Sequence, residues 1–196
     1  MTRELQTYLE TVRACRLCEA DMDRRPNPIL EAEASARILV AGQAPGNLAD
    51  LSGRPFTDPS GDRLRAWMDV TDEEFYDTSR IAFAPMGFCF PGYDGKGGDR
   101  PPMKACAKTW RLGLMERLPN IELVLAIGGY AQAWHLGDAK AKTLTETVVE
   151  WRKHLEERRV LPTPHPSWRN NGWLRKNPWF EAELLPVLRA RVRSLL

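Results

Sequence analysis

"IELVLAIGG", residues 121–129, carries after Glu122 a continuous apolar run, partly β-branched and closed by paired glycines. A run this short and this continuous reads as a strand buried on both faces, and such strands belong to parallel sheets covered by helices. Working outward from it, "RILVAG" (37–42), "RIAFAPMGF" (80–88) and "RRVLPTPHP" (158–166) read as further strands. Helical spacing occupies the intervals. "TRELQTYLETVRA" (2–14) places Leu5, Tyr8, Leu9 and Val12 on one face, with Thr2 as N-cap. "GDRLRAWMDV" (61–70), "YAQAWHL" (130–136) and "TLTETVVEWRKHLEE" (143–157) follow the same pattern. "PPMKACAKTWRLGLMERL" (101–118) reads as a long helix opened by proline in its first turn, and "FEAELLPVLRARVRSLL" (180–196) as a final helix interrupted near Pro186. Strands alternating with helices predict a three-layer α/β/α sandwich around a mainly parallel sheet of four strands.

The 196 residues, 43% of them hydrophobic, suffice for one well-buried core, so the expectation is a single domain over residues 1–196. The N-terminus mixes charges into its apolar positions, and no run approaches the ~18 apolar residues of a membrane span. A soluble, cytoplasmic monomer with no membrane partner is expected. The net charge of +2 conceals an asymmetry: residues 151–196 carry ten Lys/Arg against four Asp/Glu. That basic quarter suits a face that meets a polyanion, or equally a solvated basic helix.

"GQAPGNLADLSGRPFTDPSG" (42–61) follows the first strand with four glycines and three prolines. In parallel sheets ligands gather at the carboxyl ends of strands. Gly42 and Gly46 would let backbone approach a ligand, with Pro45 fixing the path between them. Ser60 and Gly61 stand where the next helix begins and its free N–H groups could hold an anion. Neither G-x-G-x-x-G nor G-x-x-x-x-G-K-[ST] is present, so a nucleotide cofactor has no motif to support it.

The four cysteines are Cys15 and Cys18 in "CRLC", then Cys89 and Cys106 on either side of a glycine-rich stretch. Without a secretion signal, this set suits a zinc ion or an iron–sulfur cluster better than disulfides, with four unrelated buried thiols as the alternative. Of the three histidines, His165 sits in a Pro-flanked loop after an apolar strand, whereas His135 and His154 fall within helical patterns and read as surface or packing residues. Beyond His165, "SWRNNGWLRKNPW" (167–179) interleaves Trp168, Trp173 and Trp179 with Arg169, Arg175 and Lys176. Aromatic faces among cations suit a nucleic-acid groove, although the tryptophans could equally be core.

Taken together, "GQAPGNLADLSGRPFTDPSGD", the four cysteines and "HPSW" (165–168) resemble the iron–sulfur branches of the uracil-DNA glycosylase superfamily, families four and five. The resemblance spans nearly the whole chain in the same order. It implies a four-stranded parallel sheet between helices, a [4Fe–4S] cluster on Cys15, Cys18, Cys89 and Cys106 away from the chemistry, and excision of uracil or another deaminated base from double- or single-stranded DNA.

Residue by residue, Phe56 of the intact "GRPF" is similar to the aromatic that stacks on a flipped base, and Gly42, Gln43 and Ala44 fall in the base-binding motif. Asp58 of "DPSGD" resembles a catalytic aspartate of family five and could otherwise be a helix cap. His165 would donate to the departing base, and Asp58 would oppose the sugar's positive charge or orient water, with Gln43 placed to help orient that water or the base. Ser60, Ser167, Trp168, Arg169, Arg175 and Lys176 would meet the DNA.

Two positions depart from the family. Gln43 stands where family four has glutamate, and Pro85 stands where it has the asparagine whose amide reads the uracil edge. A proline supplies no side-chain donor. These departures imply looser base preference, or a DNA-binding member that releases no base. The Arg/His-rich insertion of the covalently trapping branch is missing, so no bond from His165 to DNA is expected.

Overall fold

The computed structural model describes residues 3–196, so the expected Thr2 cap lies outside the described residues. Four strands form one sheet: β1 (Ile38–Ala41), β2 (Ile81–Phe83), β3 (Leu123–Ile127) and β4 (Val160–Thr163). Their order is β2-β1-β3-β4, and every pairing is parallel. The pairs Val40–Phe83, Ala41–Ala126 and Ile127–Thr163 bring the carboxyl ends of the strands level.

Helices connect and cover them: α1 (Arg3–Arg13), α2 (Asn47–Ser52), α3 (Pro59–Met68), α4 (Asp72–Phe75), α5 (Lys104–Cys106), α6 (Leu112–Glu116), α7 (Gly128–Leu136), α8 (Leu144–Val149), α9 (Trp151–Arg158), α10 (Asn171–Lys176) and α11 (Leu185–Leu195). Alternation along the buried strands divides the core in two. Ile38, Val40, Ile81, Phe83, Leu123, Leu125, Ile127 and Leu161 face α3, α9 and α11. Leu39, Ala41, Ala82, Ala84, Val124, Ala126 and Val160 face α1, α6 and α7. This is the three-layer α/β/α sandwich that the strand pattern predicts.

The helices differ in detail from the sequence pattern. The helix expected over 101–118 starts at Lys104, after both prolines, and passes through a wide π turn at Ala107–Arg111 between α5 and α6. The final helix is not broken at Pro186. A second π turn at Phe180–Leu184 runs directly into α11, and Pro186 is the second residue of α11, at the junction where the wide turn gives way to regular α-helix. The stretch expected as one helix over 143–157 is divided at Glu150 into α8 and α9, with a Thr143–Glu146 capping box opening α8. Much of the basic C-terminal excess is engaged within the fold: Arg193 pairs with Glu74 at 2.6 Å, Arg191 lies 3.8 Å from Glu122, and Arg189 donates to Ala66 O and Trp67 O.

Candidate active site

The loop after β1 is built around one glycine. A Cβ on Gly61 would lie 1.8 Å from the Phe56 carbonyl oxygen, so only glycine lets α3 start against that backbone. Gly42 is different, with the Phe56 ring 3.7 Å from its would-be Cβ, and Gly46 faces open space. Phe56 itself has φ 55°, a conformation that bulky residues avoid. Its carbonyl is held by the Tyr76 hydroxyl at 3.1 Å and the Arg65 guanidinium at 3.3 Å, which fixes the ring against Phe75 and Phe83. Phe56 is therefore both a core contact and a wall of a cavity.

That cavity, about 70 Å³, lies at the carboxyl ends of the strands. It is lined by Gly42, Gln43, Ala44, Phe56, Asp58 and Ser60 from the first loop, Pro85 after β2, Asp99, and His165 after β4. Asp58 caps α3, accepting from the Gly61 N–H at 3.3 Å through Oδ1, while Oδ2 takes no hydrogen bond among the described residues. Helix capping and a cavity-facing carboxylate are thus compatible in one side chain. The Gln43 amide donates to Arg100 O at 3.1 Å, which ties its nitrogen to the glycine-rich loop and leaves its oxygen available.

Burial holds the His165 imidazole below its ordinary pKa, against the opposing pull of Asp58 and Asp99. Its Nδ1 accepts from the Ser167 N–H at 3.2 Å, so the proton of the neutral ring is on Nε2. A neutral donor beside carboxylates can stabilise charge that develops on a departing group. His135 and His154 are packing residues: His135 meets the buried Arg111, and His154 is 1% exposed.

The cavity opens into a groove of about 790 Å³ lined by Ser60, Arg63, Ser167, Trp168 and Arg169. Trp168 is 70% exposed at its edge, with Leu48 and Tyr93 also exposed there. Arg63 spans the groove wall, donating to Ser167 O and Asn171 Oδ1. Trp173 and Trp179 do not share this edge; they pack with Phe180 against the core. Arg175 and Lys176 are exposed on α10, outside the lining of both cavity and groove.

All four cysteines line a separate, apolar cavity of about 20 Å³ with Leu17, Met22, Pro26, Phe88, Met103 and Trp110. They are free thiols. Burial pushes Cys89 up to about 12 and Cys106 up to about 11, with the neighbouring thiols adding to the Cys89 shift. Among the described residues no group of three or more His, Cys, Asp or Glu stands in metal-holding geometry as the side chains lie. The chemistry of the set nevertheless fits a thiolate-bound metal group: four sulfurs and an apolar shell, with no competing ligand lining the space.

Asp99 and Arg63 escaped the sequence reading. Asp99 is exposed at the cavity mouth, and loss of water raises its carboxyl pKa while Arg169 and His165 oppose that rise. The signal available for it was position alone, in a glycine-rich loop following a strand. Arg63 lies five residues past Asp58, on the exposed turn of a helix whose first residues line the cavity.

A cavity across the carboxyl ends of a parallel sheet, with an aromatic wall, a neutral histidine and a carboxylate, defines a ligand-binding α/β protein of the type that carries chemistry in its strand-end loops. The chain belongs to the uracil DNA glycosylase superfamily, whose family model matches residues 30–189. It is also similar to a Type-4 uracil-DNA glycosylase of Thermotoga maritima, 25% identical over 175 residues that cover 85% of this chain and 84% of the relative.

Proposed function

We propose that this protein is a monofunctional DNA glycosylase that flips a damaged base, uracil or a related deaminated one, and hydrolyses its N-glycosidic bond to leave an abasic site. The observation that carries this reading is the convergence of Phe56, Asp58 and His165 on one cavity in a chain of this superfamily. Extruding the base costs a few kcal/mol of stacking, which the Phe56 ring partly offsets. Cleavage develops positive charge on the sugar and negative charge on the base. Asp58 opposes the first or orients the attacking water, and the Nε2–H of His165 donates to the second. Gly42, Ala44 and the Gln43 oxygen frame the base. The groove residues Ser167, Trp168 and Arg169 hold the strand, with Arg175 and Lys176 on phosphates farther out.

Cys15, Cys18, Cys89 and Cys106 would hold a [4Fe–4S] cluster, zinc being the lesser fit. When bound, such a group supplies a tie between the N-terminal segment and the loop after β2. The reading extends to a single domain acting as a cytoplasmic monomer; no described helix is long and apolar enough to cross a membrane.

The test is single-turnover incubation with single- and double-stranded oligonucleotides carrying uracil, hypoxanthine or xanthine, followed by alkali. Strand breaks at the damaged position are the expected result. Tight binding with no release would replace this reading with that of a DNA-binding member, which the departures at Gln43 and Pro85 favour.

A further inference from the structure

The backbone after β2 forms a sealed wall of the base cavity. The Ala84 N–H donates to Val40 O at 3.1 Å, and the carbonyls of Ala84 and Pro85 accept from Arg111 at 2.7 and 3.0 Å. The Met86 and Gly87 N–H groups donate to Gly42 O and Gln43 O, each at 2.9 Å. Pro85 has no N–H. Arg111 is fully buried and is held in turn by His135 Nε2 at 2.7 Å, so its hold on these carbonyls is not open to competition by solvent. With Ile29 and Phe83 beside it, this wall meets a base edge with carbon. A carbonyl pressed there loses its water without gaining a partner, whereas an alkyl group loses nothing.

The remaining lining has the opposite character. Asp58 and Asp99 contribute two carboxylates, and neither Lys nor Arg lines the cavity. Among the described residues the Asp99 side chain takes no hydrogen bond or ion pair. The Phe56 ring supplies an aromatic face, which attracts cations as well as stacking on bases.

Building on the glycosylase reading above, we propose that the substrates of this cavity extend beyond deaminated bases to positively charged N-alkylated bases, with Asp99 as a specificity-determining residue. The chemistry balances without a further reactant. Water adds to C1′ of the sugar as the N-glycosidic bond breaks; the electron pair of that bond passes to the ring nitrogen and cancels its positive charge, so the base departs neutral. The proton of the water passes to the Asp58 carboxylate. Unmodified bases are poor leaving groups and stay attached, so a pocket with few direct polar readers still discriminates.

The experiment measures single-turnover release from duplexes carrying 7-methylguanine, 3-methylcytosine or uracil, by wild type and by the Asp99→Asn and Pro85→Asn variants. Release of at least one alkylated base within about tenfold of the uracil rate is expected. Asp99→Asn should shift the alkylated-to-uracil ratio down by about 10–100-fold, the scale of one charged hydrogen bond. Pro85→Asn should move the same ratio in the same direction by restoring an amide to the wall. The proposal is overturned if uracil is released and neither alkylated base is, or if Asp99→Asn slows all substrates equally. Release of no base from any duplex, including those with hypoxanthine and xanthine, overturns the glycosylase reading and this extension with it.

Discussion

His165 is held neutral by burial and given its donor by the Ser167 N–H on the other ring nitrogen. His165→Ala should lower the single-turnover release rate by roughly 10²–10³-fold, the scale of one lost oxyanion donor, while DNA affinity changes little. An equal loss in binding would make the residue a positioning group for the strand. His135 carries a different consequence. Burial first and Arg111 second lower its pKa from 6.5 to about 2. The unfolded chain therefore takes up this proton at a higher pH than the folded one, so the stability contribution is present above about pH 6.5 and is lost as pH falls toward 2. Denaturant titrations between pH 7 and 4 should show a slope of up to about 1.4 kcal/mol per pH unit from this group. His135→Gln, which can still accept from Arg111, should flatten it. At this scale Phe56, Asp58 and His165 were legible because local motifs carry them. Asp99 was not, since a lone carboxylate in a glycine-rich loop has no periodicity or cap to mark it until the chain is folded.

The junction between the first loop and α3 depends on Gly61, whose added Cβ would meet the Phe56 carbonyl at 1.8 Å. Gly61→Ala should cost about 3 kcal/mol or more, by equilibrium unfolding, because backbone rather than a flexible side chain must move. Gly46→Ala, facing open space, serves as the control and should cost far less. The four strands were legible because burial on both faces writes itself as continuous apolar runs. The two π turns were not: an extra residue in a helical turn leaves helical spacing nearly intact, so 101–118 and 180–196 read as ordinary helices. Yet the turn at Ala107–Arg111 ends on the arginine that grips Ala84 and Pro85, placing a cation where regular spacing gives no hint of one.

Across the whole molecule, the positive charge of the C-terminal quarter divides between two uses. Arg189, Arg191 and Arg193 are engaged with the protein, whereas Arg175 and Lys176 are exposed beyond the groove and Arg169, also exposed, lies at the groove with one donor on Gly97 O at 3.0 Å. DNA affinity should fall steeply with salt, and alanine at Arg169, Arg175 and Lys176 together should reduce the log–log slope by about three units. An unchanged slope would move the phosphate contacts elsewhere. Purification without air should give a brown protein containing iron and sulfide, and chelation should lower its thermal midpoint; zinc alone would reassign the four-thiol site. The architecture was legible as a whole because alternation of strand and helix is global, but the sequence could not say which basic residues remain available, since their partners, such as Glu74 and Glu122, come from distant segments. The thiol cavity also imposes an order on biosynthesis. Cys15 and Cys18 leave the ribosome long before Cys89 and Cys106, so the pocket they share does not exist for most of translation. The earliest segment of the chain must wait, its thiols open to oxidants and stray metals, until the α5 segment has emerged. Cells that make this protein under oxidative stress should therefore lose it at the nascent stage, before any finished molecule has been damaged.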